Sequence, residues 1–274
     1  LATSLRRGCA LRSLKPGTGN CDALVDSCGD AKFDAEIAKE FSSQQNFFGV
    51  PGITMTYFMD CQPNAYAEQD TKRIALGVNL MRTCLNVYKN RQGYFFTMLP
   101  IYAILAHEFG HQVQFANGWM NPCDYVVNEE LEADMWAGYY VGNRLAIGYE
   151  QRQTMQQFYE LGTGDFLDPD FHGSPYQRSH AFIDGLLVAE EVSKGKVGSS
   201  FAAVRSRFVE LVTVELRYPR DASPGVFDKA DIRHLCDRYK FRGTYQDCAS
   251  AMGYPWDGPP IQNKPTGQRG GYTR

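Results

Sequence analysis

The chain has 274 residues and a formal net charge of −3 at pH 7, from 28 basic and 31 acidic side chains. This near balance gives no reason to expect a nucleic-acid partner, because proteins that bind nucleic acids usually carry an excess of basic residues. The longest apolar runs, such as 98–106, are far shorter than the roughly 20 residues that a membrane-spanning helix needs. We therefore expect no membrane span, and a core that one large domain can bury.

Composition divides the chain into three parts. Residues 1–29 contain Gly and Cys without clear periodicity and are predicted to form an irregular extension. Residues 30–254 are predicted to form the folded domain. The tail over 255–274 is rich in Pro, Gly and Arg, which is typical of an extended or disordered segment.

The first elements of the domain have clear local signals. Asp30 is predicted to cap a helix that runs to residue 48, where Gly49 stops it. Residues 53–60 alternate and are rich in Thr, Tyr and Phe, so they predict a strand. A second strand is predicted over 73–80.

Helices are predicted for most of the remaining chain. Apolar residues recur at helical spacing over about 97–116, and a second helix is predicted over about 128–148. Together with the strands, these elements predict an α+β fold, with a small mixed or antiparallel sheet ahead of a helical majority. Further helices are predicted near 151–161, 174–192, 200–216 and 228–239.

The most informative motif is His-Glu-x-x-His, which begins at His107. His107 and His111 are four residues apart, so on a helix both imidazoles project from the same side and reach one metal ion. Glu108 is rotated away from this pair and can address a water at that ion. The spacing therefore predicts a zinc site with Glu108 as its catalytic base.

Catalytic zinc takes three protein ligands and leaves a position for water, so a third ligand is needed. We assign it to Glu130, on the next predicted helix. Asp134, one turn later, is predicted to accept a hydrogen bond from a liganding histidine and so to orient the ring. Glu129 and Glu132 are expected to form a solvated acidic face.

These motifs resemble the bacterial neutral zinc metallopeptidase family, which belongs with the gluzincins. The likeness lies in Ala-His-Glu-Phe-Gly-His-Gln-Val-Gln from Ala106, Glu-Leu-Glu-Ala-Asp from Glu130 and His-Gly-Ser-Pro-Tyr-Gln-Arg from His172. A looser likeness links Asn-Ala-Tyr-Ala from Asn64, and the strand from Arg73, to HtpX-like and CaaX-prenyl-protease-like metallopeptidases. The resemblance covers about half of the chain and implies a zincin-like scaffold for the domain.

The expected function is that of a zinc-dependent endopeptidase with a polypeptide substrate and one zinc ion per chain. His172 and Arg178, in the third motif, are predicted catalytic residues and are among several candidate donors to the oxyanion, between which the sequence does not choose. His172 alternatively lies beside a helix start, and Arg178 alternatively braces Asp134. The looser likeness places Ala65 and Tyr66 at a substrate-binding edge.

Two other functions stay open at this point. One is a zinc hydrolase that acts on a non-protein amide such as a cell-wall crosslink. The other is a zinc-binding regulatory protein with little turnover. His180 and His234 have no partners at metal-ligand spacing, and we expect neither to bind the ion.

The eight cysteines form an even, dispersed set without a Cys-x-x-Cys pair. Such a set favours disulfides and an oxidising compartment over a structural zinc site, although eight reduced thiols are the alternative. The local pairs are Cys236 with Cys248 and Cys61 with Cys84. Since the chain opens without Met or an apolar stretch, we expect an extracellular or periplasmic bacterial protein whose leader or pro-segment has been removed.

Overall fold

The computed structural model describes residues 6–7, 23–61, 63–88, 94–119, 126–144, 173 and 175–215. All of them belong to a compact unit over Leu1–Arg220, and a second unit, Asp221–Arg274, lies outside the described residues. The helices predicted at 151–161 and 228–239, and the predicted tail, also lie outside them.

A five-stranded mixed sheet forms one part of the described unit. The strand order is β1-β4-β5-β3-β2, in which β3 and β5 run parallel and every other neighbouring pair runs antiparallel. The strands are β1 Arg6–Arg7, β2 Leu24–Val25, β3 Thr54–Phe58, β4 Ala65–Glu68 and β5 Arg73–Gly77. The predicted α+β class, with a small sheet and a helical majority, is confirmed.

The described residues contain six helices. Helix α3 lies against the sheet and against α1, and α4 packs between α3 and α5. None of these helices is long and apolar enough to cross a membrane. The helices are α1 Ala31–Phe48, α2 Val78–Tyr88, α3 Tyr94–Asn117, α4 Val126–Arg144, α5 Pro175–Ser193 and α6 Phe201–Glu215.

The predicted boundaries of α1 are confirmed by its capping contacts. The Asp30 carboxylate accepts hydrogen bonds from the amides of Lys32 and Phe33, both at 3.0 Å. At the other end Gly49 has φ of 61°, a left-handed conformation that glycine adopts at little cost. The Asp30 cap and the Gly49 stop both lie next to the helix ends, so the sequence alone is enough to predict them.

The predicted strand over 73–80 is wrong at its C-terminal end, because β5 stops at Gly77 and the chain enters α2 directly. Asp60 causes the change. Its carboxylate accepts from the amides of Asn79 at 2.6 Å and Leu80 at 2.8 Å, which would otherwise lack partners at the start of a helix. The cap therefore comes from a residue far away in the sequence, and α2 was not predicted.

Three strands also differ from the prediction. Strand β4 was not predicted as a strand, since all four of its residues are buried and none alternates with an exposed one. Strands β1 and β2 lie in the segment expected to be irregular, and strands of two residues are too short to show an alternating pattern.

The suggested bridge between Cys61 and Cys84 does not form, because Cys84 is present as a buried thiol.

Helices α4 and α5 approach most closely at two glycines. A Cβ atom on Gly138 would lie 1.9 Å from the carbonyl oxygen of Phe182, and one on Gly185 would lie 2.0 Å from that of Met135. Both obstacles are backbone atoms, which cannot rotate away. The glycines thus set the distance between α4 and α5, the two helices that carry Asp134 and Arg178.

We predict that Gly138→Ala lowers the free energy of unfolding by about 2–3 kcal/mol, because the added methyl group separates the helices. Urea denaturation measures this loss. Gly198→Ala is the control, since its Cβ would lie 3.2 Å from a side-chain methyl group, that of Ala203. Equal stability of the two variants would contradict the proposed close contact.

Candidate metal centre

Three side chains from α3 and α4 converge at one point in the interior. The Nε2 atoms of His107 and His111 are 3.1 Å apart. Glu130 places Oε2 3.3 Å from Nε2 of His107 and Oε1 3.4 Å from Nε2 of His111. All three residues are fully buried, and they can hold a metal ion.

A close contact between α3 and α4 brings Glu130 to the histidines. A Cβ atom on Gly110 would lie 3.1 Å from the Cα atom of Ala133. Gly110 stands between the two histidines in the sequence, and Ala133 stands between Glu130 and Asp134. The small residues therefore allow two ligand-bearing helix turns to face each other.

The spacing of the donor atoms is close to that of neighbouring zinc ligands. Zinc–nitrogen and zinc–oxygen bonds of about 2.0–2.1 Å give ligand–ligand separations of about 3.3–3.4 Å in a tetrahedron. The two Nε2 atoms are 3.1 Å apart, and each lies 3.3 or 3.4 Å from a different oxygen of Glu130. Two imidazole nitrogens with one carboxylate are also a donor set that zinc accepts in catalytic sites.

Hydrogen bonds at the far side of each ring set the direction of its lone pair. Nδ1 of His107 donates to Oδ1 of Asp134 at 2.7 Å, as predicted for Asp134. Nδ1 of His111 donates to Oε1 of Gln114 at 2.9 Å. When both rings are neutral, each Nε2 atom carries a lone pair that points at the other ring and at the Glu130 carboxylate. These groups therefore repel one another. A cation between them removes that repulsion.

Burial favours the neutral form of His111. It lowers the pKa of the imidazole, because charging the ring inside the protein costs solvation free energy, and the nearby Glu130 opposes this effect only in part. A neutral imidazole is the form that binds a metal ion.

Arg178 lies on α5 with its guanidinium fully buried. It donates to both oxygens of Asp134, from Nε at 2.8 Å and from Nη2 at 2.7 Å, and Nη2 lies 3.6 Å from Oε2 of Glu130. This is the bracing position that the sequence offered as the alternative for Arg178. Its predicted catalytic role stays a prediction.

The charge of the described residues around this point also favours a cation. Glu108, Glu130 and Asp134 are fully buried carboxyl groups, and Arg178 is the buried basic side chain that pairs with Asp134. Among the described residues, acidic groups therefore outnumber basic ones here, which favours a positively charged ion.

The other predicted site residues are Glu108, Ala65, Tyr66 and His172. Glu108 is fully buried on α3, one residue from His107. Ala65 and Tyr66 lie on β4 and are buried, with the Tyr66 ring 4.9 Å from the ring of Phe58. Their assignment to a substrate edge stays a prediction. His172 lies outside the described residues.

The expectation of a solvated acidic face on α4 is wrong. Glu129 and Glu132 are each only 6% exposed. Glu132 accepts hydrogen bonds from Nε of Arg205 at 3.1 Å and from Nε1 of Trp136 at 3.4 Å. Burial raises the pKa of Glu132, and Arg205 opposes the shift. Arg205 lies on α6, so this pairing depends on a helix that is distant in the sequence.

The contact between Gln114 and His111 was not predicted from the sequence. Gln114 follows His111 by three residues, so the two share a helix face. That spacing was the one available signal, and many glutamines on helices have it without any role. Its contact with His111 becomes visible only in the structure.

No protein-family model, curated protein or solved structure matches this chain. The class of site is therefore defined by its own geometry, as a buried two-histidine, one-carboxylate group that can hold a metal ion.

We predict that the chain retains about one zinc ion after loading and dialysis, and that Glu130→Ala loses most of it because two ligands remain. Metal analysis of the dialysed protein measures the ratio. Glu129→Ala is the control from the neighbouring position, and it should keep the ion. A folded wild-type protein that takes up no metal would overturn this assignment.

We predict that Arg178→Met lowers the free energy of unfolding of the metal-free protein by about 3–5 kcal/mol, since it leaves Asp134 buried without its cation. Adding Asp134→Asn should recover part of this loss. Arg207→Met is the control, because Arg207 pairs with Glu191 and Glu210 at the surface, where such pairs contribute about 0–1 kcal/mol. Equal losses from the two arginine variants would show that the buried pair is not important for stability.

Proposed function

We propose that this protein is a zinc-dependent endopeptidase with a zincin-like scaffold. One observation carries the proposal, namely that His107, His111 and Glu130 converge at metal-ligand spacing, and Glu108, the residue after His107, is also buried. The resemblance of the motifs to neutral zinc metallopeptidases supports the choice of zinc and of a peptide substrate.

In this proposal His107, His111 and Glu130 hold the ion and Asp134 keeps the His107 ring in its liganding orientation. When bound, zinc supplies Lewis acidity, which lowers the pKa of water and polarises a peptide carbonyl. Glu108 accepts the proton of the attacking water on its carboxylate and passes it to the nitrogen of the leaving amine. Arg178 holds Asp134 in place through hydrogen bonds to both carboxylate oxygens.

The carboxylate at position 108 is what distinguishes an enzyme from a metal-storage or structural site. A structural zinc site needs four protein ligands and no base. Here the described group offers three ligands and an adjacent buried acid, which is the composition of a catalytic site. The even cysteine count supports placing this activity in an oxidising compartment, extracellular or periplasmic.

A second candidate function has one observation in its favour. His107, Glu108, His111 and Glu130 are all 0% exposed, so a polypeptide has no direct route to them in this conformation. A zinc-binding regulatory protein with little turnover would tolerate such burial. An enzyme instead requires the chain to open for substrate.

The test is digestion of an unfolded protein by the purified chain and by its Glu108→Gln variant, with fragments identified by mass spectrometry. We expect internal cuts from the wild type and a loss of at least about 100-fold in rate for the variant, since it lacks the base. Both proteins should bind zinc equally.

Equal cleavage by the two proteins would contradict the role of Glu108. Zinc binding without cleavage by either protein would favour the regulatory alternative. Release of fragments from muropeptides, with no cut in the unfolded protein, would instead identify a hydrolase of a cell-wall amide.

A further inference from the structure

We propose that Gln114 is a positioning residue that holds His111 in its metal-binding orientation and is itself held by the backbone of Glu129. The inference rests on the proposed metal centre and concerns how its second histidine is held. Asp134 contacts His107, so this role for Gln114 is a separate one.

The amide of Gln114 can adopt one orientation only. Its Nε2 lies 3.0 Å from the backbone carbonyl oxygen of Glu129, an atom that can only accept a hydrogen bond. The amide oxygen must therefore face the other way, where Nδ1 of His111 lies 2.9 Å from it. Both residues are buried, so water does not compete for these contacts.

This orientation decides which nitrogen of His111 carries the proton. An amide oxygen accepts and cannot donate, so Nδ1 of His111 must be protonated. Nε2 then presents its lone pair toward His107 and Glu130, where a metal ion needs it. Gln114 thus prevents the other tautomer, which would direct a proton at the ion.

The two histidines are therefore supported differently. His107 donates directly to a carboxylate that is paired with Arg178, whereas His111 donates to a neutral amide that is held by a backbone carbonyl. Removal of Gln114 should leave the His107 side of the centre unchanged. The expected effect is weaker metal binding in a protein that still folds.

The experiment compares zinc affinity in Gln114→Met and Gln112→Met by competition with a chromophoric chelator. Gln112 is a matched control, because it is also buried on α3 and donates to backbone carbonyls, those of Glu68 and Arg73, both at 3.1 Å. It makes no described hydrogen bond to a metal ligand. We expect zinc affinity to fall about 10- to 100-fold in Gln114→Met and to stay within about twofold in Gln112→Met.

A measurement on the wild type keeps the proposal testable if Gln114→Met does not fold. Nitrogen-15 NMR of the zinc-loaded wild type should show His111 protonated at Nδ1 and bound through Nε2. Metal binding through Nδ1 of His111 would overturn the proposal. Unchanged zinc affinity in a folded Gln114→Met variant would also overturn it.

These outcomes differ from those that test the proposed function. Wild-type protein that binds zinc without cutting any substrate would remove the endopeptidase activity and leave the role of Gln114 intact. Cleavage that depends on Glu108, together with normal zinc affinity in Gln114→Met, would support the endopeptidase activity and overturn the role of Gln114.

Discussion

Asp134 makes the contact on which the rest of the centre depends. Its carboxylate accepts from Nδ1 of His107 on α3 and from both Nε and Nη2 of Arg178 on α5, so one buried side chain on α4 joins three helices. A buried carboxylate is stable only with such partners. The orientation of His107, the position of Arg178 and the spacing of the helices are therefore parts of one arrangement.

The surrounding fold supplies the close approaches that this arrangement needs. Gly110 and Ala133 let α3 and α4 meet, and Gly138 and Gly185 do the same for α4 and α5. On the other side of α3, Gln112 donates to the backbone at Glu68 and Arg73, which holds the sheet against the helix that carries the histidines.

Local patterns were enough to predict which residues meet at the centre of the site, but not the contacts that come from residues distant in the sequence. His107, Glu108 and His111 stand on one helix, and the orientation of Glu130 and Asp134 follows from a single spacing of four residues. The start of α2 depends on Asp60, and the burial of Glu132 depends on Arg205, 73 residues away. Such contacts form only after the helices pack. The sequence offers no means of choosing Arg205 among the other arginines, or Gln114 among the other glutamines.

X-ray absorption spectroscopy of the zinc-loaded chain, at the zinc edge, tests the ligands of the metal centre directly. We expect a first shell of nitrogen and oxygen at about 2.0–2.1 Å, with the outer-shell scattering of two imidazole rings. The contrary result is easy to recognise, because a ligand from any of the eight cysteines would add sulfur to the zinc shell. A sulfur shell at about 2.3 Å would place the ion on thiolates and contradict a centre built from His107, His111 and Glu130.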